Sequence, residues 1–384
     1  MTTAAELRRA LADSTTADGS MTDPAWRAAI ETVPREVFLG DAFFRMNHGE
    51  RGTVWEPVRR TDLDEADWLR LVYTNDTWVT QVDGVSATDA SGPLYGTPTS
   101  SSTLPSLVVR MLEAAGIRDG ERILEVGTGT GYSTAVLCHR LGEKNVVSIE
   151  YDPALAALAA DRIHAAGYHP VLVTGDGLDG YEDEAETEYD RLLATCAVRT
   201  IPRSWIWQTR IGGTITCTLG GWMEAHGTVS LTVAEDGSAE GRFTGETISY
   251  MLARPHQRPP RSGFYRHPGQ ARTTAVDPGV LQDWTGRFVA QLAAPSAELM
   301  GVRGSVALVD VATGSQAWTE ADGDGWTVHQ HGPLKLWDQV EGAITAWRDA
   351  GAPDQSRFGM TVTADHIQTV WIGSPDGPAW RLPA

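Results

Sequence analysis

One glycine-rich run limits the possible folds more than any other part of the chain. The run is L-E-V-G-T-G-T-G-Y over residues 124–132, and it follows a β-rich segment and precedes a helical pattern. Glycines there let the backbone turn sharply and approach a ligand without a Cβ clash. The spacing is GxGxG rather than the GxGxxG of dinucleotide-binding folds, so the ligand need not carry a pyrophosphate. An ordinary strand-to-helix turn is the alternative. The predicted ligand-binding loop consists of Gly127, Thr128, Gly129, Gly131 and Tyr132.

Three acidic residues lie in or just after successive predicted strands. The carboxylate of Glu125, beside the glycine loop, would suit an amino group and repel phosphate. Glu150, followed by Tyr151, ends the next strand, where one carboxylate can accept two hydrogen bonds from a ribose diol. Asp176, followed by Gly177, comes after the third strand and can accept from an adenine amino group. Alone, Glu150 could be a solvated strand end and Asp176 a plain turn, but together they predict a nucleoside pocket at the carboxyl edge of a sheet.

Short β-rich runs alternate with helical patterns between residues 93 and 254, and this alternation predicts a Rossmann-like α/β sheet of parallel strands. The nearly uniform apolar character of the runs is typical of strands covered on both faces. The predicted strands are 122–126, 146–150, 171–174, 191–195 and 214–219. The predicted helices are 104–115, 132–141, 153–166 and 202–210. Runs at 228–233 and 242–252 flank the turn at Glu235-Asp236-Gly237 and predict a terminal antiparallel hairpin.

Composition shifts divide the chain into four predicted parts. Residues 1–92 form an N-terminal substrate-side region with a helix at 24–32, and residues 93–254 form the ligand-binding domain. Residues 255–272 are a basic, proline-rich linker, and residues 273–384 an α+β accessory domain with helices at 278–293 and 334–349.

The charge and composition exclude several classes of partner. A net charge of -19 would repel nucleic acid. No run approaches the ~20 apolar residues of a membrane span, so we expect no membrane partner. The three cysteines have no ligand-like spacing, and we read them as reduced thiols of a cytoplasmic protein. His226, His329 and His331 lack a third partner at metal-ligand spacing, so we expect no metal site. The oligomeric state stays open.

The chain from Asp18 to about Arg254 resembles the protein-L-isoaspartate O-methyltransferase family. The run A-A-I-E-T-V-P-R-E-V-F at 28–38 is similar to the family's N-terminal signature, and P-S-L-V-V-R-M-L-E at 105–113 to the helix before its glycine loop. The G-D-G at 175–177 and Tyr189-Asp190 also lie where the family has them. The resemblance implies a class I methyltransferase fold that binds S-adenosylmethionine, releases S-adenosylhomocysteine and uses no metal. It also implies a peptide or protein substrate bearing isoaspartate.

Two features depart from the family pattern. Thr103 stands where the family has a serine, and the chain continues well beyond Arg254, where members usually end. Both features resemble the long actinobacterial relatives of the FxLD type, encoded beside ribosomally made peptides. That resemblance implies methylation of a normal aspartate in a modified peptide, followed by closure of the ester to an aspartimide. Isoaspartate repair and a non-catalytic cofactor-binding scaffold remain the alternatives.

The candidate catalytic residue is Thr103, with Ser101 and Ser102 as helpers. A carboxylate acceptor is already ionised, since a model aspartate has a pKa near ~3.9, so a neutral hydroxyl that orients it is sufficient. The alternative role is capping of the helix that starts near Leu104, which is the preferred role for Ser100 and Ser101. The candidate substrate contacts are Arg258, Arg266 and Ala197, although the two arginines could simply belong to a solvated linker.

Overall fold

The computed structural model describes residues 3–49, 52–182, 188–260, 265–302, 305–323 and 325–383. The helices are α1 (Ala4–Ala17), α2 (Pro24–Thr32), α3 (Arg35–Leu39), α4 (Glu65–Val72), α5 (Pro105–Ala114), α6 (Tyr132–Leu141), α7 (Pro153–Ala165), α8 (Arg203–Trp207), α9 (Trp284–Ala293) and α10 (Leu336–Asp349). The strands are β1 (Ala42–Gly49), β2 (Gly52–Arg59), β3 (Trp78–Val82), β4 (Val85–Ser86), β5 (Pro98–Ser102), β6 (Ile123–Val126), β7 (Val146–Glu150), β8 (Val171–Thr174), β9 (Tyr189–Val198), β10 (Thr209–Gly220), β11 (His226–Val233), β12 (Ala239–Phe243), β13 (Gln270–Thr274), β14 (Ala297–Val302), β15 (Ser305–Asp310), β16 (Gln316–Asp322), β17 (Gly325–His331), β18 (Phe358–Val362), β19 (Gln368–Ile372) and β20 (Ala379–Arg381).

The chain divides into two compact units at places other than the predicted boundaries. Unit 1 comprises residues 1–195 and 208–213, and unit 2 comprises 196–207 and 214–384. The predicted boundary at residue 92 is wrong because β5, which lies after it, pairs with β3, which lies before it, through partners such as Trp78 and Ser102. Residues on both sides of residue 92 therefore share one sheet.

The α/β prediction is confirmed in unit 1. Strands β9, β6, β7 and β8 lie side by side in that order, and β6 pairs in parallel with β7 and β9, as β7 does with β8. The strands at 146–150 and 171–174 and the helix at 132–141 have the predicted bounds. Every residue of β6 and β7 is buried, as expected for strands covered on both faces. The parallel pairing brings the carboxyl ends of β6, β7 and β8 to one edge.

A second sheet in unit 1 carries the candidate catalytic segment. Its strand order is β2-β1-β3-β4, and β5 pairs with β3. Buried apolar residues support it, among them Phe44, Trp55 and Val79. Ser101 and Ser102 end β5, and α5 begins at Pro105, so the hydroxyl-bearing residues lie at a strand-to-helix junction.

Unit 2 contains the predicted hairpin but extends it. Strands β11 and β12 pair antiparallel as expected, although β12 ends at Phe243, well short of residue 252. The C-terminal strands β18, β19 and β20 then continue this sheet from β12. The predicted separation at residues 254–273 is therefore wrong, because residues from both sides of it share a sheet. The predicted helix at 202–210 is also shorter, since β10 begins at Thr209.

The remainder of unit 2 consists of another sheet and the helices α9 and α10. Its sheet has the order β13-β17-β16-β15-β14, and α9 and α10 pack against one another. Phe243 on β12, Phe288 on α9 and Phe358 on β18 form edge-to-face aromatic contacts with centroid separations of 5.4–6.4 Å. All three are buried. The former linker and accessory residues therefore complete the core around the hairpin.

Candidate active site

The glycine loop between β6 and α6 has a backbone conformation that residues with side chains rarely adopt. Gly127, Gly129 and Gly131 all have positive φ, at 106°, 56° and 90°. A Cβ at Gly127 would lie 2.8 Å from Thr195 Oγ1, and one at Gly131 would lie 2.9 Å from Ile163 Cγ1. At Gly129 the nearest atom would be Ser101 O at 3.9 Å. The loop is thus packed at its ends and open at its centre, beside the segment with the candidate catalytic hydroxyls.

The acidic residues at the ends of β7 and beyond β8 lie at the same edge. Glu150, 8% exposed, accepts hydrogen bonds at Oε2 from the Gly129 amide (2.8 Å) and at Oε1 from the Asp152 amide (3.0 Å). Its neighbour Tyr151 is 50% exposed. The carboxylate of Asp176 accepts from the Leu178 amide at 2.9 Å. The structure therefore brings Glu150 and the glycine loop into direct contact, and Asp176 follows the strand that pairs with β7.

Gly177 is required for close packing beneath this edge. A Cβ at Gly177 would lie 2.3 Å from Val126 Cγ1, at the end of β6. The third strand-end turn can therefore approach β6 only because position 177 has no side chain.

Glu125 does not occupy the place that the sequence predicted. Its side chain is fully buried, and its carboxylate accepts hydrogen bonds from the hydroxyls of Ser133 (2.5 Å), Thr134 (2.5 Å) and Ser148 (2.7 Å). Burial raises the pKa of the Glu125 carboxyl, while these three hydroxyls act in the opposite direction. The predicted direct contact with an amino group is corrected, because the carboxylate ties β6, β7 and α6 together beneath the loop.

Two other loop side chains also point inward. Thr128 is buried, and its hydroxyl lies 2.7 Å from that of Ser148. Tyr132 is 3% exposed and packs edge-on against Phe38. Burial raises the pKa of Tyr132 to about 12. At these two positions only the main chain is left for a ligand, so their predicted role in cofactor binding stays a prediction that concerns the backbone alone.

The hydroxyls of residues 100–103 do not cap α5. The Leu104 amide donates to Thr77 Oγ1 (3.0 Å) and the Ser106 amide to Asn75 Oδ1 (3.0 Å), so another segment of the chain caps the helix. The preferred capping role of Ser100 and Ser101 is therefore wrong. Ser100 instead accepts from Thr80 Oγ1 at 3.1 Å.

Within the described part of the chain, the hydroxyls of Ser102 and Thr103 are not used in hydrogen bonds. Ser102 Oγ is buried and has no hydrogen-bond partner in the described part of the chain. The half-buried Thr103 contributes only its carbonyl, which accepts from Arg35 at 3.3 Å. In the described structure these two hydroxyls therefore have no hydrogen bond that explains them, and the main chain of the preceding residue, Ser101, lies beside the glycine loop.

Arg35 is the functional candidate that our sequence reasoning missed. It lies in the V-P-R-E-V-F run, which pointed to the family but gave no role to this arginine. Its guanidinium is fully buried and donates to the carbonyls of Ser102 and Thr103, each at 3.3 Å. No periodicity or spacing in the sequence reveals that contact, because its partners lie far along the chain.

The three predicted substrate contacts lie in unit 2 and differ in their surroundings. Ala197 is fully buried, and its main chain pairs with Met251 and Ala253, so direct substrate contact through its side chain is corrected. Arg258 lies 3.6 Å from Glu298, and Arg266 donates to Ser305 and lies over the Trp318 ring. A role for the two arginines in substrate binding stays a prediction.

The described residues show neither of two other kinds of site. No group of three or more His, Cys, Asp or Glu side chains within them could hold a metal ion. No described helix has the length and apolar character needed to cross a membrane.

Comparison with known proteins agrees with this geometry. Residues 72–248 match the sequence model of the family described as "Protein-L-isoaspartate(D-aspartate) O-methyltransferase (PCMT)". This part of the chain is therefore similar to that family. It includes the glycine loop, Glu150, Asp176 and the 100–103 segment, whereas Arg35 lies before it.

Individual relatives give the extent of the similarity. The protein-L-isoaspartate O-methyltransferase of Ignicoccus hospitalis is 42% identical over 111 residues, which are 28% of this chain and 52% of that protein. The chain thus spans about half the length of the first such relatives that it matches. The enzyme of the same name from Thermococcus onnurineus is 28% identical over 239 residues, covering 61% of this chain and 96% of that protein.

A solved structure titled as a protein-L-isoaspartate O-methyltransferase has the same fold, with a TM-score of 0.56 at 19% identity. The alignment covers 96% of this chain and all of that one. The C-terminal extension therefore has structural counterparts in a chain of that title.

Proposed function

We propose that this protein is an S-adenosylmethionine-dependent carboxyl O-methyltransferase that acts on an aspartyl-type carboxylate of a peptide or protein. The observation that carries the proposal is the position of Ser101 O, 3.9 Å from where a Cβ at Gly129 would lie. The open centre of the glycine loop, where a cofactor would lie, is thereby adjacent to the main chain of the 100–103 segment, whose hydroxyls serve no cap. The match of residues 72–248 to the family's sequence model supports the same chemistry.

The residues at the sheet edge fit S-adenosylmethionine. Gly129 leaves space at the loop, and the carboxylates of Glu150 and Asp176 can accept hydrogen bonds from hydroxyl and amino groups of a nucleoside. Acidic side chains and the absence of a lysine or arginine from the loop suit a cationic ligand better than a phosphate. When bound, the cofactor supplies an electrophilic methyl group.

The protein's own contribution is to orient the acceptor and to exclude water from it. An aspartyl carboxylate is ionised near neutral pH, so no general base is required. Thr103 can donate a hydrogen bond that fixes one carboxylate oxygen while the other attacks, whereas the Ser102 hydroxyl is buried away from solvent. Alignment of two reacting groups can supply a large part of a rate enhancement. The neutral hydroxyls suit this task because they orient an anion without neutralising it.

Two kinds of carboxylate could accept the methyl group in this site. Isoaspartate is supported by the names of the relatives and by the family as a whole. A normal aspartate in a ribosomally made peptide, giving an ester that closes to an aspartimide, is supported by Thr103 in the place of the family's serine. The additional methyl group of threonine occupies space next to the acceptor, so it would change which carboxylate geometry fits.

Paired peptides that differ only in the linkage at one residue separate these acceptors. Each peptide, with Asp-Gly or isoAsp-Gly at the centre, is incubated with the enzyme and S-adenosylmethionine and followed by mass spectrometry. We expect the mass of one methylene to be gained and methanol to be lost on ring closure, because the glycine amide nitrogen is unhindered. Reaction of isoAsp alone would establish repair, and reaction of Asp alone would establish peptide modification. Methylation of neither, with cofactor bound, would contradict carboxyl methylation of both types.

A further inference from the structure

Arg35, the first residue of α3, has an unusual environment for a charged side chain. It is fully buried, and its terminal nitrogens donate only to main-chain carbonyls in the described structure. The acceptors are Val72 O, Thr74 O and Asp76 O, each at 2.8 Å, and Ser102 O and Thr103 O, each at 3.3 Å.

A buried charge without a carboxylate partner is costly, so the carbonyl dipoles must compensate for lost hydration. Burial lowers the pKa of Arg35 to about 10, which leaves the guanidinium protonated near neutral pH. The planar guanidinium has donors in a fixed fork, and a lysine in the same place could not span five acceptors. The geometry therefore requires arginine in particular.

The same side chain connects the two halves of the candidate site. One set of contacts fixes the main chain at Ser102 and Thr103, where the candidate catalytic hydroxyls lie. On another side, the guanidinium carbon lies 6.0 Å from the centroid of the Tyr132 ring. Tyr132 begins α6 directly after the glycine loop. One cation thus contacts both the hydroxyl segment and the helix that continues the loop.

The remaining contacts of Arg35 strengthen this connection. The carbonyls of Thr74 and Asp76 flank Asn75, whose side chain accepts from the Ser106 amide and donates to the Ser106 hydroxyl. Asn75 and Thr77 together hold the start of α5. Arg35 therefore fixes the hydroxyl segment directly and also fixes the turn that caps the helix after it.

We propose that Arg35 is a positioning residue that sets the distance between the Ser102–Thr103 hydroxyls and the cofactor loop. It acts through Thr103 and does not touch the substrate. This inference rests on the proposed function. A displacement of ~1 Å in a reacting group can lower turnover about 100-fold. Loss of the Arg35 hydrogen bonds to residues 102 and 103 should therefore affect the chemical step more than cofactor binding.

The first test compares Arg35→Lys with Arg162→Lys in the protein of residues 1–384. Arg162 is a suitable control because it is half-buried and also donates to a carbonyl, Phe38 O at 2.8 Å, but has no described hydrogen bond to residues 102–103. We expect Arg35→Lys to lower kcat for the reactive peptide by about 30-fold or more, with the Kd for S-adenosylhomocysteine within about twofold of wild type. Arg162→Lys should leave kcat within about threefold of wild type.

A double-mutant cycle decides whether Arg35 acts through Thr103. If it does, Arg35→Lys should lower the residual turnover of Thr103→Val by less than about threefold, because the oriented hydroxyl is already absent. Fully additive losses, or wild-type kcat in Arg35→Lys, would overturn the inference. Arg35→Gln, a planar neutral amide, takes the place of the lysine variant if that variant does not fold. Full turnover in Thr103→Val alone would instead contradict the proposed catalytic site, so the two failures are distinguishable.

Discussion

Two glutamates near the glycine loop look alike in the sequence but differ in their burial and in their hydrogen-bond partners. Glu125 accepts three hydroxyl hydrogen bonds inside the fold, and its carboxyl has a raised pKa. Glu150 retains 8% exposure at the strand end and accepts from the Gly129 amide. Of the two, only Glu150 contacts the loop backbone, and we propose that it acts on a ligand there both directly and by fixing the loop.

Replacement of Glu150 by glutamine should weaken cofactor binding without unfolding the protein. The charged acceptor at the loop is lost, and a charge-assisted hydrogen bond contributes about 1.5–3 kcal/mol, so we expect the Kd for S-adenosylhomocysteine to rise at least about tenfold. Titration calorimetry measures it. Glu143→Gln is the control, since Glu143 also accepts a hydrogen bond from a backbone amide (His169, 2.7 Å) but lies before β7. Equal affinity in both variants would contradict the pocket assignment.

At the junction of β5 and α5, the helix is capped by residues from another segment of the chain, and the hydroxyl side chains just before the helix are not used for capping. Serine and threonine just before a helix usually cap it. Here Asn75 and Thr77 satisfy the first amides of α5, so the hydroxyl of Thr103 is not needed for the cap. Stability and activity should therefore depend on different residues of the same junction.

Paired substitutions at this junction should separate the two properties. Asn75→Ala removes a cap and should lower the free energy of unfolding by about 1 kcal/mol. Thr103→Val should leave unfolding and cofactor affinity nearly unchanged but abolish most methyl transfer, and Thr103→Ser should retain part of it. Thr32→Val, at an exposed site on α2, is the matched control. Full methyl transfer by Thr103→Val, measured with the reactive peptide, would show that its hydroxyl has no catalytic role.

On the scale of the whole molecule, the C-terminal residues are structural parts of unit 2. Strand β18 covers the edge of β12, and Gln368 exchanges two hydrogen bonds of 2.8 Å with the main chain of Ile201. Phe358 completes an aromatic cluster with Phe243 and Phe288. These contacts join residues on both sides of the predicted linker, so the extension is not a detachable domain.

A protein truncated after residue 254 should therefore fail to fold its second unit. It would expose the edge of β12 and leave Phe243 without its aromatic partners, and such edges promote aggregation. We expect little soluble protein on expression and no cooperative thermal transition of unit 2. In the full chain, Phe358→Ala should cost about 3–5 kcal/mol, whereas Tyr265→Ala, at a residue 78% exposed, should be nearly neutral. A soluble, cooperatively folding truncated chain would restore the predicted boundary.

The sequence alone determined the features that depend on local pattern. The glycine loop, the strands at 146–150 and 171–174, the helix at 132–141 and the antiparallel hairpin follow from periodicity and turn residues. Their alternation also predicted that Glu150 and Asp176 would follow neighbouring strands, because parallel strands end at one edge. These features require only nearby residues, and local propensity records them.

Tertiary structure decided the features that depend on burial and on distant partners. It placed Glu125, Thr128 and Tyr132 beneath the loop rather than at its surface. It brought Asn75 and Thr77 to the start of α5, where they accept hydrogen bonds from its first amides. It also brought Arg35 to residues 102 and 103, where it donates to their carbonyls. It also joined β18 to β12 across more than a hundred residues of chain. Side-chain direction and long-range pairing are set by packing between elements, and no local pattern in the sequence specifies them.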